Sequence, residues 1–317
     1  MSEKELFRKF CEQEKDIPIF LTYGWLQTVA PDCWDVVMEC RGGEIVAFMP
    51  YVIKRKLFFK YITIPPLTPY MGPWIKYPKG QKYTTRLSHE KEMMTLLVSK
   101  LPVVDYFIQT FSPAITNWLP FYWASFQQST RYTYVLTDVS NLDHIKENFS
   151  KNVRRHLKRA EEHLTVIEIE DVTILYNTLV KFYQENSLDM HFTLDYLTKI
   201  YSWTRLNNIG KLLAVTENEN IIAAHLYVYD GETIYNLVGA TDPDYKNSGA
   251  MTLLIWEGIK VAYEKGLKSF DFEGSMVMPV EKYFRDFGGI QRPYFKVTKS
   301  NSKLLTMYFY LKSTFKK

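Results

Sequence analysis

Asn220-Ile221-Ile222-Ala223-Ala224-His225-Leu226-Tyr227 has a counterpart earlier in the chain, Glu44-Ile45-Val46-Ala47-Phe48-Met49-Pro50-Tyr51. The aliphatic positions and the tyrosine coincide at a constant offset. Each segment follows a tight turn, Glu217-Asn218-Glu219-Asn220 in one case and Arg41-Gly42-Gly43-Glu44 in the other. Paired glycines tolerate the positive φ such a turn needs. Both segments therefore read as return strands of hairpins. The same unit occurring twice in the same element order marks an internal duplication.

Working outward, the first ~30 residues read as helices, 35–40 and 45–54 as the first hairpin, and 62–66 as a short strand ended by prolines. Residues 65–73 form a Pro/Tyr-rich loop, 88–100 a helix, and 103–110 and 131–136 strands. A second series opens near residue 141 with one long helix over 141–164. Helices over 172–186 and 193–207 follow, then strands over 211–216, 221–229 and 233–239, a helix over 250–265 and a strand from Ser269 to Glu273. The fold class is α/β (α+β), with two tandem domains, 1–140 and 141–317. Each has a mixed, mostly antiparallel sheet flanked by helices, and the last helix is able to pack on the first domain.

With 317 residues the chain exceeds what one core usually organises. A formal net charge of only +4 argues against a DNA-binding protein. Cys11, Cys33 and Cys40 sit in no metal or redox spacing, so they read as reduced thiols in a cytoplasmic protein that needs no metal. The charged Met1–Lys15 segment lacks the apolar core of a signal peptide, and no window is apolar enough to span a membrane. A Ser-His-Asp elbow, HExxH, Walker A and CxxC pair are absent. Hydrolase, metalloenzyme and NTPase readings are disfavoured accordingly.

The stretch Phe270-Asp271-Phe272-Glu273-Gly274-Ser275, followed by Tyr283-Phe284-Arg285-Asp286-Phe287-Gly288, is the most specific in the chain. Together with Phe20–Trp25, Pro65–Pro73, Ser150–Ala160 and Val238–Gly289 it resembles the FemAB-like and BioF2-like acetyltransferase group. That bacterial group belongs to the GNAT (Gcn5-related N-acetyltransferase) superfamily, and the resemblance covers nearly the whole chain. It implies transfer of an acyl or aminoacyl group to an amine. The donor is then acetyl-CoA, another acyl-CoA or an aminoacyl-tRNA, none of them permanently bound. The acceptor is a small-molecule amine or a cell-envelope precursor. The alternative is a non-catalytic GNAT-fold binding or scaffold protein, since fold alone does not establish chemistry.

Several residues are candidates for that chemistry. Alternation sets Phe270 and Phe272 on one face of their strand and Asp271 and Glu273 on the other. An amine is protonated at neutral pH and must lose a proton to attack, so a carboxylate near the strand end is placed as a general base. Glu273 is nearest that end; otherwise it serves in an ion pair or a cap. The resemblance implies a cation at the acyl ester after Phe284. Arg285 keeps the charge of the family's usual lysine without its shape, and its alternative is an ion pair with Glu281 or Asp286. Tyr235 is either a general acid or a core aromatic.

Lys246, Asn247, Ser248, Gly249 and Ala250 roughly match the loop that, in acetyl-CoA-dependent relatives, presents a helix N-terminus to the CoA pyrophosphate. A second glycine is missing here. On the opening helix, Lys151, Arg154, Arg155, Lys158 and Arg159 share one face. They are either a contact for phosphates of tRNA, a nucleotide-sugar or CoA, or a solvated face. His225 on the return strand and His191 in the loop Leu188–Phe192 are weaker substrate contacts. Tyr70 lies in a loop able to border an acceptor pocket. Phe192 stands where some relatives have arginine, and the lysine those relatives use after Trp25 is absent. Both departures argue against a UDP-MurNAc-pentapeptide acceptor.

Overall fold

The computed structural model describes residues 2–274 and 276–314. The chain divides into two compact units, Met1–Arg131 together with Pro293–Lys317, and Tyr132–Arg292. The sequence reading drew its boundary at 140 and assigned 141–317 to the second domain, with the last helix able to pack on the first. The structure returns the C-terminal strand and helix to the first unit.

The first unit runs α1 (Glu3–Gln13), α2 (Tyr23–Val29), β1 (Trp34–Arg41), β2 (Glu44–Lys56), β3 (Phe59–Thr63), β4 (Trp74–Ile75), α3 (Tyr83–Lys100), β5 (Tyr106–Thr110) and α4 (Leu119–Trp123). Strand β6 (Gln127–Leu136) crosses the boundary, and its residues from Tyr132 onward belong to the second unit. That unit continues through α5 (Leu142–Asn148), α6 (Lys151–His163), β7 (Thr165–Glu168), α7 (Val172–Glu185), α8 (Leu194–Leu206), β8 (Gly210–Glu217), β9 (Asn220–Tyr229), β10 (Thr233–Thr241), α9 (Ala250–Glu264), β11 (Ser269–Asp271) and α10 (Met278–Arg285). The chain then forms β12 (Ile290–Ser300), which enters the first unit from Pro293, and α11 (Lys303–Thr314).

The two sheets follow one plan. In the first unit β1, β2 and β3 are antiparallel neighbours, β3 pairs parallel with β5 after the α3 crossover, and β12 closes antiparallel on β5. In the second, β8, β9 and β10 are antiparallel neighbours, β10 pairs parallel with β11 after the α9 crossover, and β6 closes antiparallel on β11. The hairpin correspondence read from sequence is therefore a correspondence of whole sheets. Gly42 and Gly43 take φ values of 59° and 84°, the left-handed pair that a two-residue hairpin turn requires.

Three elements differ from expectation. The helix expected over 141–164 is two helices. Ser150 breaks it by capping α6, its hydroxyl accepting from the Val153 N–H, while its own N–H donates to Asp286 O at 2.8 Å. The break turns Phe149 into the core against Trp256 and Phe287. Strand β7 was not read at all, because it is only four residues long and only Val166 of it packs on the core, its Ile167 being exposed. Strand β11 ends at Asp271 rather than Glu273, for reasons that belong to the site.

Both parallel pairs part after a few residues, but the gaps differ. In the first unit, Met71 bridges to Phe111 and its N–H donates to Thr110 O at 2.7 Å, so the loop Pro65–Pro73 closes the gap. A Cβ on Gly72 would lie 2.4 Å from the Phe111 ring, which leaves room only for glycine there. Among the described residues this is the one such bridge.

Candidate active site

In the second unit β10 and β11 pair only from Thr233 to Tyr235, after which β10 runs on to Thr241 while β11 stops. The β9–β10 register also shifts between Tyr235 and Val238, so neither ladder pairs Asn236 or Leu237. The bulge at Asn236–Leu237 therefore lies beside the end of β11, where the two strands part.

Glu273 stands beside this gap. Its φ is +59°, in the left-handed region, and its N–H donates to Asp271 Oδ1 at 2.8 Å. Gly274 follows at φ +65°. A Cβ there would sit 2.2 Å from Tyr132 O, so the chain crosses β6 at backbone contact. Two left-handed residues in succession end β11 and swing Glu273 out of the alternation assumed from sequence. The Oε1 atom of Glu273 is buried without a hydrogen-bond partner. Burial first, and the Asp271 carboxylate second, push its pKa well above the usual carboxylate range. Asp271 has a different task. Its Oδ1 accepts from Thr133 Oγ1 at 2.6 Å as well as from the Glu273 amide, and so holds the turn. Ser275, part of the quoted motif, lies outside the described residues.

The other named residues fall as follows. The Tyr235 hydroxyl donates to Asp230 Oδ2 at 2.9 Å and so points back to the β9–β10 turn, away from the gap. His225 is buried opposite Gly239, where a Cβ would meet Nδ1 at 1.9 Å, and it stacks on Tyr227 at 4.3 Å. Both its ring nitrogens lack partners, and burial lowers its pKa to about 3, so it is neutral. Arg285 is exposed and pairs with Glu281 at 3.1 Å, the surface ion pair that was its alternative reading.

In the loop before α9, Gly249 takes φ +84° and Ser248 Oγ accepts the Ala250 N–H at 3.2 Å. One helix N-terminal donor is therefore already used. A Cβ on Gly249 would lie 3.1 Å from His156 O, so the loop is pressed under α6. Lys246 and Asn247 are exposed at its rim. On α6, Val153, Leu157 and Ala160 are buried while Arg154, Arg155 and Lys158 are exposed. Arg154 reaches Glu147 O at 2.7 Å and Arg155 reaches Asn152 at 3.0 Å. His191 is exposed between α7 and α8. Tyr70 is a core residue of the first unit, packed against Phe20 and Tyr294.

Two groups had gone unassigned. Asn236 Oδ1 is buried without a partner at the parting point. Tyr283 lies within hydrogen-bond distance of Thr252 Oγ1, 3.1 Å, and burial raises its pKa. Tyr283 directly precedes Phe284-Arg285, so the motif pointed to it. Asn236 carried no signal, because a bulge in one strand shows only when its partner strand is known.

Residues 147–285 match the acetyltransferase (GNAT) domain family. No curated protein matches the chain. Among solved structures, FemX superposes with a TM-score of 0.67 at 12% identity, covering 93% of this chain and 96% of its own. The C-terminal domain (DUF2156) of a provisionally named lysylphosphatidylglycerol synthetase from Agrobacterium fabrum gives 0.56 at 12% identity, covering 96% and 94%. A tandem GNAT protein from the clavulanic acid biosynthesis pathway gives 0.55 at 9% identity, covering 94% of each chain. Residues 147–285 thus form an acetyltransferase (GNAT) domain, which makes the chain an acyltransferase by class. Over nearly its whole length the chain shares its fold with FemX and with a tandem GNAT protein.

Proposed function

We propose that the protein transfers an acyl or aminoacyl group to an amine at the parted β10–β11 strands of the second unit, with Glu273 as general base. The observation that carries this reading is a buried carboxyl with an unpartnered oxygen and a raised pKa, set beside unladdered backbone in a GNAT domain. The donor's carbonyl lies at the backbone released around Asn236 and Leu237. The amine's N–C bond forms, the donor's C–S or C–O bond breaks, and the amine proton passes to Glu273. The exposed cations of α6 and Lys246 hold the donor's phosphates, whether the carrier is CoA or tRNA. The acceptor is a small-molecule amine or a cell-envelope precursor met in the cytoplasm.

Acyl-CoA and aminoacyl-tRNA donors are separated by ligand-induced thermal stabilisation of the whole protein. The test of the base is single-turnover transfer by Glu273→Gln with whichever donor stabilises it. The expected result is a loss of about 10²–10⁴-fold in rate with donor affinity kept. Unchanged turnover rejects Glu273 as the base. Failure of both donors to bind supports a non-catalytic binding protein instead.

A further inference from the structure

Between residues 45 and 89 the chain carries eight lysines and arginines and no aspartate or glutamate, although its net charge is only +4, so the remainder is net negative. Four of the eight lie on the β2–β3 hairpin of the first unit. Lys54, Arg55 and Lys56 are exposed, Lys60 is half-buried, and among the described residues none of the four is in an ion pair. Lys56 pairs with Phe59, so Leu57 and Phe58 form the tip, where they are 86% and 74% exposed. Leu57 also takes φ +56°, a left-handed position that suits glycine or asparagine in a two-residue turn. The backbone is strained to hold a leucine where a turn residue would be more stable, which points to a use for its side chain. A further apolar point lies at the same end of the sheet. Strands β3 and β5 run parallel from a common start, with Tyr61 opposite Tyr106, and Asp105 and Lys60 exchange two hydrogen bonds of 2.8 Å. Val103, just before β5, is 87% exposed.

We infer that this end of the first unit docks on an anionic phospholipid bilayer, Leu57, Phe58 and Val103 entering the interface and the hairpin cations meeting the headgroup phosphates. Area and chemistry select this occupant. Three apolar side chains offer far less than the roughly 800 Å² per partner of a stable protein interface, whereas a few such side chains beside a basic cluster suffice at a membrane surface. A nucleic acid would satisfy the cations and stack on Phe58, but it would give Leu57 and Val103 no apolar surroundings. At an anionic membrane each cation adds about fivefold in binding, and burial of the leucine adds at least about tenfold. This inference is independent of Glu273.

The test is co-sedimentation of the full chain with vesicles of phosphatidylcholine alone or containing ~30% phosphatidylglycerol, at low and high salt. Binding is expected to the anionic vesicles only, and to weaken with salt. Lys54→Gln/Arg55→Gln/Lys56→Gln should lower it about a hundredfold. Leu57→Asn should lower it at least about tenfold while melting at or above the parent, because asparagine accepts the left-handed position and the lost side chain is exposed. Equal binding to both vesicle types, unchanged binding by Leu57→Asn, or no binding at all overturns the inference. So does tRNA binding, or a dimer in solution, that Leu57→Asn abolishes.

Discussion

At the residue scale Glu273 does two things that oppose each other. Its raised pKa means that the folded protein keeps a proton which the unfolded chain releases near pH 4.3. The stabilising preference is fully present below that pH and is lost as pH rises through the folded value. Glu273→Gln should therefore melt higher than the parent at neutral pH, by an amount that shrinks towards pH 4, while losing turnover. Parallel melting curves across pH reject this account. The parent's transfer rate should fall as pH drops through the raised pKa, since a base must be ionised to act. His225 has the opposite sign. Burial holds it neutral down to about pH 3, so its contribution is complete above ~6.5 and is lost as acid protonates the unfolded chain first. Melting temperature measured from pH 7 to 4 should drop less steeply in His225→Leu than in the parent.

At the element scale, the end of β11 depends on Gly274 having no side chain. Gly274→Ala places a methyl 2.2 Å from Tyr132 O at φ +65°, and should cost about 2–4 kcal/mol by denaturant titration. A cost under ~0.5 kcal/mol would mean that the crossing of β6 is not tight. Helix α6 separates its tasks by face. Val153, Leu157 and Ala160 dock it, and the cations face outward. Arg154→Glu/Arg155→Glu/Lys158→Glu should leave the melting temperature within a few degrees. Donor affinity should fall by tenfold or more, and its salt dependence should flatten. Unaltered affinity would make this a solvated face.

At the scale of the whole molecule, the first unit is built from both ends of the chain. Truncation after Arg292 removes β12 from Pro293 onward and strips β5 of its antiparallel neighbour over Tyr106–Thr110. Hydrogen exchange should then accelerate in β5 and in α3, which packs beside it in the same core, while α9 and β9 stay protected. Uniform protection would show that β12 is dispensable. The two gaps also differ at this scale. Met71 and Gly72 fill the first, while the second keeps Asn236 and Glu273 with unpartnered oxygens, the difference on which the proposed placement of the site in the second unit rests.

Local patterning was enough to reveal the duplicated hairpins, the order of helices and strands, and Glu273 as a carboxylate worth attention, because periodicity and turn chemistry are written over a few neighbouring residues. The resemblance carried by Phe270–Gly274 and Tyr283–Gly288 supplied the kind of chemistry. Long-range contacts decided the rest. The β10 bulge exists only against β9, the left-handed turn at Glu273 only against Tyr132, and the closing of the first unit by β12 only through a strand far away in sequence. Alternation assumed a strand through Glu273; backbone crowding ended it two residues sooner, and burial rather than position along the strand raised that carboxyl's pKa.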